Sequence, residues 1–164
     1  AGINVLHAVS GDAVSVDNLN ISCVHPCKNY NYESTNDYSA VYLISMRDFS
    51  MLMMGDAESK AEKCIIRDVK KSGGGLDPSG INVLKTGHHG SRGASSEEFI
   101  KLVKPETALI SCGIDNSYGH PHKETLQRFT DAGTKVYRTD ECGEIMVRVW
   151  NGSYETEVFK ERKE

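Results

Sequence analysis

The chain carries at residues 81–91 the sequence INVLKTGHHGS, in which an apolar strand pattern runs directly into two adjacent histidines enclosed by glycines. A short run rich in aliphatic and β-branched residues that is bounded by glycine predicts a strand, here at residues 81–85. Gly87 and Gly90 have no Cβ, so the backbone on either side of the histidines can approach a neighbour or a ligand closely. Functional groups collect at the carboxyl ends of strands in open α/β sheets, and His88 and His89 follow such an end.

Regular elements surround this stretch on both sides. Upstream, β-type runs predict strands at residues 3–7, 13–16, 19–24, 39–46 and 50–54. From Gly55 onward, strands alternate with helical patterns: strands at 81–85, 107–112 and 134–138, and helices at 57–71, 95–103 and 122–132. A final hairpin is predicted at 143–150 and 154–159, through the turn Asn151-Gly152.

This order predicts an α/β fold with a mixed β-sheet and helices packed on it. We interpret residues 1–164 as a single domain, because no repeat or linker divides them. The glycines at 73–75 are expected to end the first helix, and the charged tail at 160–164 is expected to fray.

Chemically capable residues follow three of the predicted strands. Asp56 comes after the first, His88 and His89 come after the second, and the sequence Gly-His120-Pro-His122 comes after the third. Imidazole and carboxylate groups are ligands of Zn²⁺ and Mn²⁺. Two such ions, about 3.5–4 Å apart, would hold a phosphodiester and activate a water molecule.

Each of these pieces also has an ordinary explanation. A Gly-Asp pair after a strand is often only a turn, adjacent loop histidines are often exposed and inert, and Pro121 can simply begin a helix. All three explanations would have to apply at once, at three separate strand ends. We therefore favour the hypothesis of a metal site.

Composition limits the other classes of function. The net charge of −4 argues against binding of nucleic acid through a broad basic face, but not against an enzyme that holds phosphodiesters through metal ions. No apolar run approaches the roughly 20 residues that cross a bilayer. The first residues carry no signal-peptide core, which fits a cytosolic chain or a piece of a longer protein.

The five cysteines do not predict a disulfide scaffold. Cys64 and Cys112 lie in a helical and a strand pattern, so we expect buried free thiols. Cys23 and Cys27 flank His25, but no second ligand pair follows at the spacing of a zinc knuckle. We interpret this stretch as the end of a strand that Pro26 interrupts.

The strand-end motifs resemble those of the metallo-β-lactamase superfamily, and within it the hydrolase domain of ComEC-type competence proteins, which take up DNA across the bacterial membrane. The resemblance rests on residues 52–56, on residues 85–91 with the serines that follow, and on residues 118–122 with residues 136–140. It runs nearly from end to end of the chain. It implies the C-terminal half of a metallo-β-lactamase-like αβ/βα sandwich.

The resemblance also implies roles for single residues. Asp56 would be the metal-bridging aspartate and His88 a histidine ligand. The pocket-lining residues, in contact with metal, phosphate or leaving group, would be His89, Ser91, His120 and His122. Asn36 lies near the place where many superfamily members carry a further histidine ligand, which the ComEC-type branch tends to lack.

One departure concerns the ligand count. The family's main cluster, of the His-x-His/Asp-x-Asp-His kind, precedes the region that corresponds to this chain, and nothing in the chain replaces it. The complete domain is expected to bind divalent metal ions, Zn²⁺ or Mn²⁺. Two ligands are too few to hold a catalytic zinc, which takes about three from the protein. We therefore expect this chain by itself to be inactive, or nearly so.

The resemblance implies further partners. Single-stranded DNA would be the substrate of the longer protein, which is expected to be a membrane protein that holds this soluble domain outside the cytoplasmic membrane. The missing N-terminal half of the fold would cover one face of the chain, and exposure of that face predicts a homo-oligomer, such as a symmetric dimer. Two alternatives stay open: a non-catalytic fragment or interaction module, and a hydrolase of small esters on the same fold.

Overall fold

The computed structural model describes residues 7–28, 30–72 and 80–160. The strands in these residues are β1 Ala13–Val16, β2 Leu19–His25, β3 Val41–Met46, β4 Phe49–Met53, β5 Val83–Lys85, β6 Thr107–Ile110, β7 Lys135–Arg138, β8 Glu144–Trp150 and β9 Ser153–Phe159. The helices are α1 Ser59–Ser72, α2 Glu97–Val103, α3 Lys123–Asp131 and α4 Thr139–Cys142; a 3₁₀ turn covers Asn36–Tyr38, and a tight turn covers Gly87–Gly90. The predicted strand at 3–7 lies, except for His7, outside the described residues, as do the glycines at 73–75 and residues 161–164.

Seven strands form one mixed sheet in their order along the chain, from β1 to β7. The pairs from β1 to β4 are antiparallel, and the pairs from β4 to β7 are parallel. The predicted α/β class is therefore confirmed. The parallel part matters for function, because the carboxyl ends of β4, β5 and β6 all lie at the same edge of the sheet.

Helices α1, α2 and α3 connect successive parallel strands and cover one face of the sheet. Right-handed crossovers between strands in sequential order bring all connecting helices to the same face. The main core lies there, where Ile65 of α1, Phe99 of α2 and Phe129 of α3 are buried against Leu52 and Leu84. Full burial of each such side chain contributes roughly 1.5–3 kcal/mol.

The hairpin β8–β9 packs on the opposite face of the sheet. Its residues Val147 and Tyr154 contact a second buried cluster formed by Phe49, Val83 and Leu109. The predicted turn at residues 151 and 152 is present, and both residues have the positive φ that a type I′ hairpin turn needs. The helix at 139–142 is an addition that the sequence did not predict. No helix within the described ranges has both the length and the apolar content to span a bilayer.

The prediction that Cys64 is a free thiol is wrong. Cys64 in α1 and Cys27, just after β2, form a disulfide with a Cα–Cα distance of 6.6 Å. Cys23, Cys112 and Cys142 are free. No local pattern predicts this pair, because 37 residues separate the two cysteines and only the packing of α1 beside β2 brings them together.

Candidate metal and phosphodiester site

Four histidines meet at the edge of the sheet where β4, β5 and β6 end. The ring centroids of His88 and His120 are 5.3 Å apart, those of His120 and His122 are 5.0 Å apart, and those of His89 and His120 are 6.3 Å apart. Asp56 follows the end of β4 at the same edge. The structure therefore brings together the chemically capable residues from all three predicted strand ends.

The turn that carries two of these histidines has a backbone conformation rare for L residues. His88 has φ 41° and ψ 51°, and His89 has φ 53° and ψ 24°. The left-handed region costs about 1–2 kcal/mol for each non-glycine residue. A Cβ on Gly87 would lie 2.2 Å from the carbonyl oxygen of Ala57, so only glycine fits before the pair. Strain of this kind, held by surrounding contacts, motivates a functional hypothesis for the two imidazoles.

The ring of His88 is oriented by a carboxylate. Its Nδ1 lies 3.0 Å from Oε1 of Glu58 and 3.3 Å from Nδ2 of Asn36. A carboxylate only accepts hydrogen bonds, so the shorter contact, with Glu58, places the proton of the neutral ring on Nδ1, and Nδ2 of Asn36, itself a donor, is then a neighbour and not a hydrogen-bond partner. The Nε2 atom of His88 is then the unprotonated nitrogen that can bind a metal.

The ring of His89 is oriented in the same sense by a backbone carbonyl. Its Nδ1 lies 2.6 Å from the carbonyl oxygen of Ser111, which likewise places the proton on Nδ1. Its Nε2 lies 3.6 Å from Oδ1 of Asp56. Asp56 is itself anchored, since its N–H donates to Oγ of Ser39 over 3.1 Å.

His122 has the opposite tautomer. Its Nδ1 accepts a hydrogen bond of 3.2 Å from the backbone N–H of Arg92, so the neutral ring carries its proton on Nε2. His122 can therefore donate a hydrogen bond or a proton toward the site, whereas His88 and His89 present bare nitrogens. The tautomers therefore suggest metal binding for His88 and His89 and hydrogen-bond donation for His122, roles that the sequence could not tell apart.

His120 lies between the other imidazoles. Burial lowers the pKa of His120, and the neighbouring His122, His88 and His89 lower it further, while Glu58 has a weaker opposite effect. A lowered pKa keeps the ring neutral at neutral pH. A neutral imidazole can bind a metal or accept a proton.

Glu58 is the functional residue that sequence reasoning missed. Its Oε1 contacts Nδ1 of His88 and also accepts a hydrogen bond of 2.9 Å from Oγ of Ser91. Ser91, which is 8% exposed, also accepts from the N–H of Gly93. Ser91 thus stabilises the turn that carries His88 and His89. The sequence offered one indication that Glu58 belongs to the site, namely its position two residues after Asp56 and just before a helix.

A lysine lies behind the aspartate. Burial lowers the pKa of Lys85, and the charge of Asp56 opposes that shift. The Nζ atom donates to the carbonyl oxygen of Thr86 over 3.1 Å. Lys85 therefore brings positive charge near the carboxylate from the end of β5.

The donors present fit a metal ion of the Zn²⁺ or Mn²⁺ type in chemistry and in orientation. The 3.6 Å between Nε2 of His89 and Oδ1 of Asp56 suits two ligands of one ion, since metal–ligand bonds of about 2.0–2.2 Å at tetrahedral angles place ligand atoms roughly 3.4 Å apart. Histidine ligands usually donate their other N–H to a carboxylate or carbonyl, as His88 and His89 do here.

The donors fall short of a complete site. Among the residues that the structure describes, the group of three metal-ligating residues with ligand atoms within 4.8 Å of one another is Cys27, Cys64 and Asp68, and its two sulfurs are bonded to each other. At the histidine cluster, a pair of ligand atoms, on His89 and Asp56, lies within that distance, and the other imidazoles lie beside the pair. More donors are needed for tight binding.

The Cys-His-Cys stretch near Pro26 does not form a zinc knuckle. His25 is fully buried, with Nδ1 2.8 Å from the carbonyl oxygen of Ser39 and Nε2 2.7 Å from Oη of Tyr32. Cys27 is committed to the disulfide. This agrees with the interpretation of the stretch as a structural strand end.

Comparison with known proteins gives three curated relatives that are 31–32% identical to this chain. The ComE operon protein 3 of Bacillus subtilis (strain 168) is 32% identical over 153 residues, which are 92% of this chain and 18% of that protein. Recombination protein 2 of Haemophilus influenzae is 32% identical over 73% of this chain and 14% of that protein. Competence protein ComA of Neisseria gonorrhoeae is 31% identical over 88% of this chain and 20% of that protein. The chain thus spans about a fifth or less of the length of these relatives.

No family model matches the chain. A crystal structure described as a metal-dependent hydrolase, from Parabacteroides distasonis ATCC 8503, superposes with a TM-score of 0.48 at 15% identity, covering 80% of this chain and 56% of that one. A likeness at this level does not establish a shared activity.

The mixed sheet with helices on one face and a histidine cluster at its strand ends is the α/β arrangement that the metallo-β-lactamase resemblance predicts. The sequence relatives then specify the branch. The chain is homologous to a segment of the ComEC-type competence proteins, and the resemblance seen in its motifs is confirmed.

Proposed function

We propose that this chain forms part of a metal-dependent hydrolase domain that acts on nucleic-acid phosphodiesters within a DNA-uptake protein. The observation that carries the proposal is the convergence of four imidazoles and Asp56 at the ends of three neighbouring strands. The kinship with competence proteins supports a role in DNA handling, and single-stranded DNA is the substrate class that the family resemblance implies. The remaining ligands would come from the His/Asp cluster that the resemblance implies for the complete domain.

Each residue has a role in this proposal. Together with the ligands of the complete domain, Asp56, His88 and His89 would hold Zn²⁺ or Mn²⁺, which when bound supplies positive charge to the phosphate and lowers the pKa of water. Glu58 fixes the ring of His88, and Ser91 fixes the position of Glu58. His122 donates from Nε2 to a phosphate or leaving-group oxygen, and His120 accepts a proton.

We also propose that the domain works outside the cytoplasmic membrane as part of a membrane protein. The competence relatives support a membrane-associated uptake system. The disulfide between Cys27 and Cys64 supports the same location, because disulfides persist in oxidising compartments and are rare in the cytosol.

The test is cleavage of single-stranded DNA by the complete hydrolase domain with Mn²⁺ or Zn²⁺ added. We expect His88→Ala and Asp56→Ala to reduce the rate to the level seen without metal. His7→Ala is the matched control, because His7 is an exposed histidine that is not part of the cluster. Equal cleavage by all variants would refute the assignment, and faster turnover of small esters or lactones than of DNA would favour an esterase instead.

A second candidate applies to the isolated chain: a non-catalytic interaction module. It is favoured by the lack, within the described ranges, of three histidine or carboxylate donors at metal-binding distance in the cluster. Elemental analysis of the purified chain decides between the two. A stoichiometric metal would exclude this candidate, and its absence after dialysis against Zn²⁺ would support it.

A further inference from the structure

Tyr118 is the most exposed large hydrophobic side chain in the described residues, and it stands directly beside the histidine cluster. It is 77% exposed. Its ring stacks on that of His120, with centroids 5.8 Å apart and an interplanar angle of 23°. Ile114, on the same loop between β6 and α3, is 65% exposed. Apolar groups exposed in this way make no contribution to the core.

The loop that carries Tyr118 is held in one shape by an asparagine. Nδ2 of Asn116 donates to the carbonyl oxygens of Gly113 and His120, over 2.9 and 2.6 Å. Its Oδ1 accepts from the N–H of His120 over 2.9 Å, and the N–H of Gly119 donates to its carbonyl oxygen. The tyrosine is thus presented on a fixed loop, which lowers the entropic cost of using it as a contact surface.

We propose that Tyr118 is a stacking platform for a nucleobase of single-stranded nucleic acid, beside the site that holds the phosphate. The inference rests on the proposed function, since the histidine cluster must receive a phosphodiester. Every base has an aromatic face, so stacking on tyrosine binds single strands with little sequence preference. A duplex keeps its bases inside the helix, so the platform selects unpaired strands.

The Tyr118 ring lies where one nucleotide could contact it with its base while its phosphate contacts the histidine cluster. His120 lies between Tyr118 and the other imidazoles, with His122 and His88 at 5.0 and 5.3 Å on its other sides. A phosphate on the cluster therefore places its attached sugar and base next to the tyrosine ring. The net charge of −4 gives little general attraction for DNA, so we expect a base contact to add affinity that the surface charge does not supply.

Binding of a short fluorescein-labelled oligothymidylate to this chain, followed by anisotropy at low salt, tests the proposal. We expect Tyr118→Ala to weaken binding about tenfold, because stacking on an aromatic ring contributes substantially for each base. Tyr118→Phe, which keeps the ring, should bind as the wild type does. Trp150→Ala is the control, since Trp150 is 46% exposed on the β8–β9 hairpin and should not matter.

An oligonucleotide of the same length with abasic sites separates base stacking from phosphate contact. We expect the wild type to bind it as weakly as Tyr118→Ala binds the thymidylate. Equal affinity for both ligands, equal binding by Tyr118→Ala and wild type, or no binding by the wild type would overturn the proposal.

A second assay distinguishes failure of the Tyr118 stacking proposal from failure of the proposed hydrolase function. Hydrolysis of an abasic deoxyribose oligonucleotide by the complete domain should require His88 and be unchanged by Tyr118→Ala, since this substrate has no aromatic ring to stack on the tyrosine. No hydrolysis, combined with ring-dependent oligonucleotide binding, would refute the catalytic proposal and leave the stacking platform standing.

Discussion

Glu58, at the start of helix α1, controls the chemistry of the histidine turn that follows that helix and strand β5. Its carboxylate contacts Nδ1 of His88 and the hydroxyl of Ser91, which are 30 and 33 residues further along the chain. The contact decides the tautomer of His88, and with it which ring nitrogen faces the site. The same residue is 30% exposed, so solvent competes with these contacts.

Replacement of Glu58 by alanine should therefore change the tautomer of His88. We expect the wild type to hold the proton on Nδ1, and Glu58→Ala to shift it toward Nε2, because the hydrogen-bond acceptor that favours Nδ1–H is gone. Long-range ¹H–¹⁵N NMR of the imidazoles measures this directly in the chain without metal. His89, whose Nδ1 is held by the Ser111 carbonyl, is the internal control.

The variant Glu97→Gln, at an exposed glutamate that pairs with Lys101, controls for the loss of a surface charge. In the complete domain, loss of the Glu58 contact should also weaken Zn²⁺ binding by about 10–100-fold. An unchanged His88 tautomer in Glu58→Ala would contradict the role given to this residue.

At the scale of elements, the disulfide ties the end of β2 to helix α1. It closes a loop between cysteines that are 37 residues apart and so joins the antiparallel part of the sheet to the helix layer. Chain-entropy arguments give about 4 kcal/mol of stabilisation for a loop of this length. The helix also carries Glu62, whose buried carboxylate accepts from the N–H groups of Ser95 and Ser96 at the start of α2.

Removal of the disulfide by Cys27→Ala with Cys64→Ala should lower the free energy of unfolding by about 4 kcal/mol. Urea denaturation followed by circular dichroism measures the change. Reduction with dithiothreitol should shift the midpoint of the wild type and leave that of the double variant unchanged. Cys142→Ser, at a free cysteine, is the control. Alkylation of all five cysteines without prior reduction would show that the bond does not form.

At the scale of the whole molecule, the two faces of the sheet are covered unequally. Three helices cover one face, and the hairpin β8–β9 covers part of the other. Beside the hairpin, on the same face, the register aligns Val14 with Ile21 and Ile44, and Val16 with Leu19. Val14 is 64% and Val16 is 62% exposed. A contiguous apolar surface of this kind is typical of an interface.

We therefore expect the isolated chain to self-associate through this face. Val14→Lys combined with Val16→Lys should shift the chain toward monomer, because lysines opposing each other across an interface repel and cost desolvation. Analytical ultracentrifugation over a range of concentrations measures the shift. Ser15→Lys is the matched control, since alternate residues of a strand point to opposite faces.

A wild type that sediments as a monomer at all concentrations would exclude self-association. A shift of equal size in Ser15→Lys would show that added charge alone, and not the apolar face, is responsible. In the longer relatives, of which this chain spans 14–20%, further sequence is available to cover the same surface.

The elements that sequence predicted well are those encoded by neighbouring residues. The strand at 81–85 appears as Val83–Lys85, the helix at 95–103 as Glu97–Val103, and the hairpin turn at 151–152 has the backbone that Asn-Gly favours. Hydrophobic period and turn chemistry act over a few residues, so they are visible in a linear pattern. The sequence also predicted that Asp56 and the histidines lie at one edge of the sheet, because the carboxyl ends of parallel strands lie at the same edge.

The tertiary structure decided everything that depends on partners distant in sequence. The disulfide, the left-handed turn at His88 and His89, and the role of Glu58 each depend on contacts across 30 or more residues. The sequence by itself determined the α/β order, the glycines around the histidines and the set of candidate ligands. Only the fold determined which nitrogen of each ring carries the proton and which side chains hold it there, because a hydrogen bond needs a definite distance and direction that no local pattern encodes.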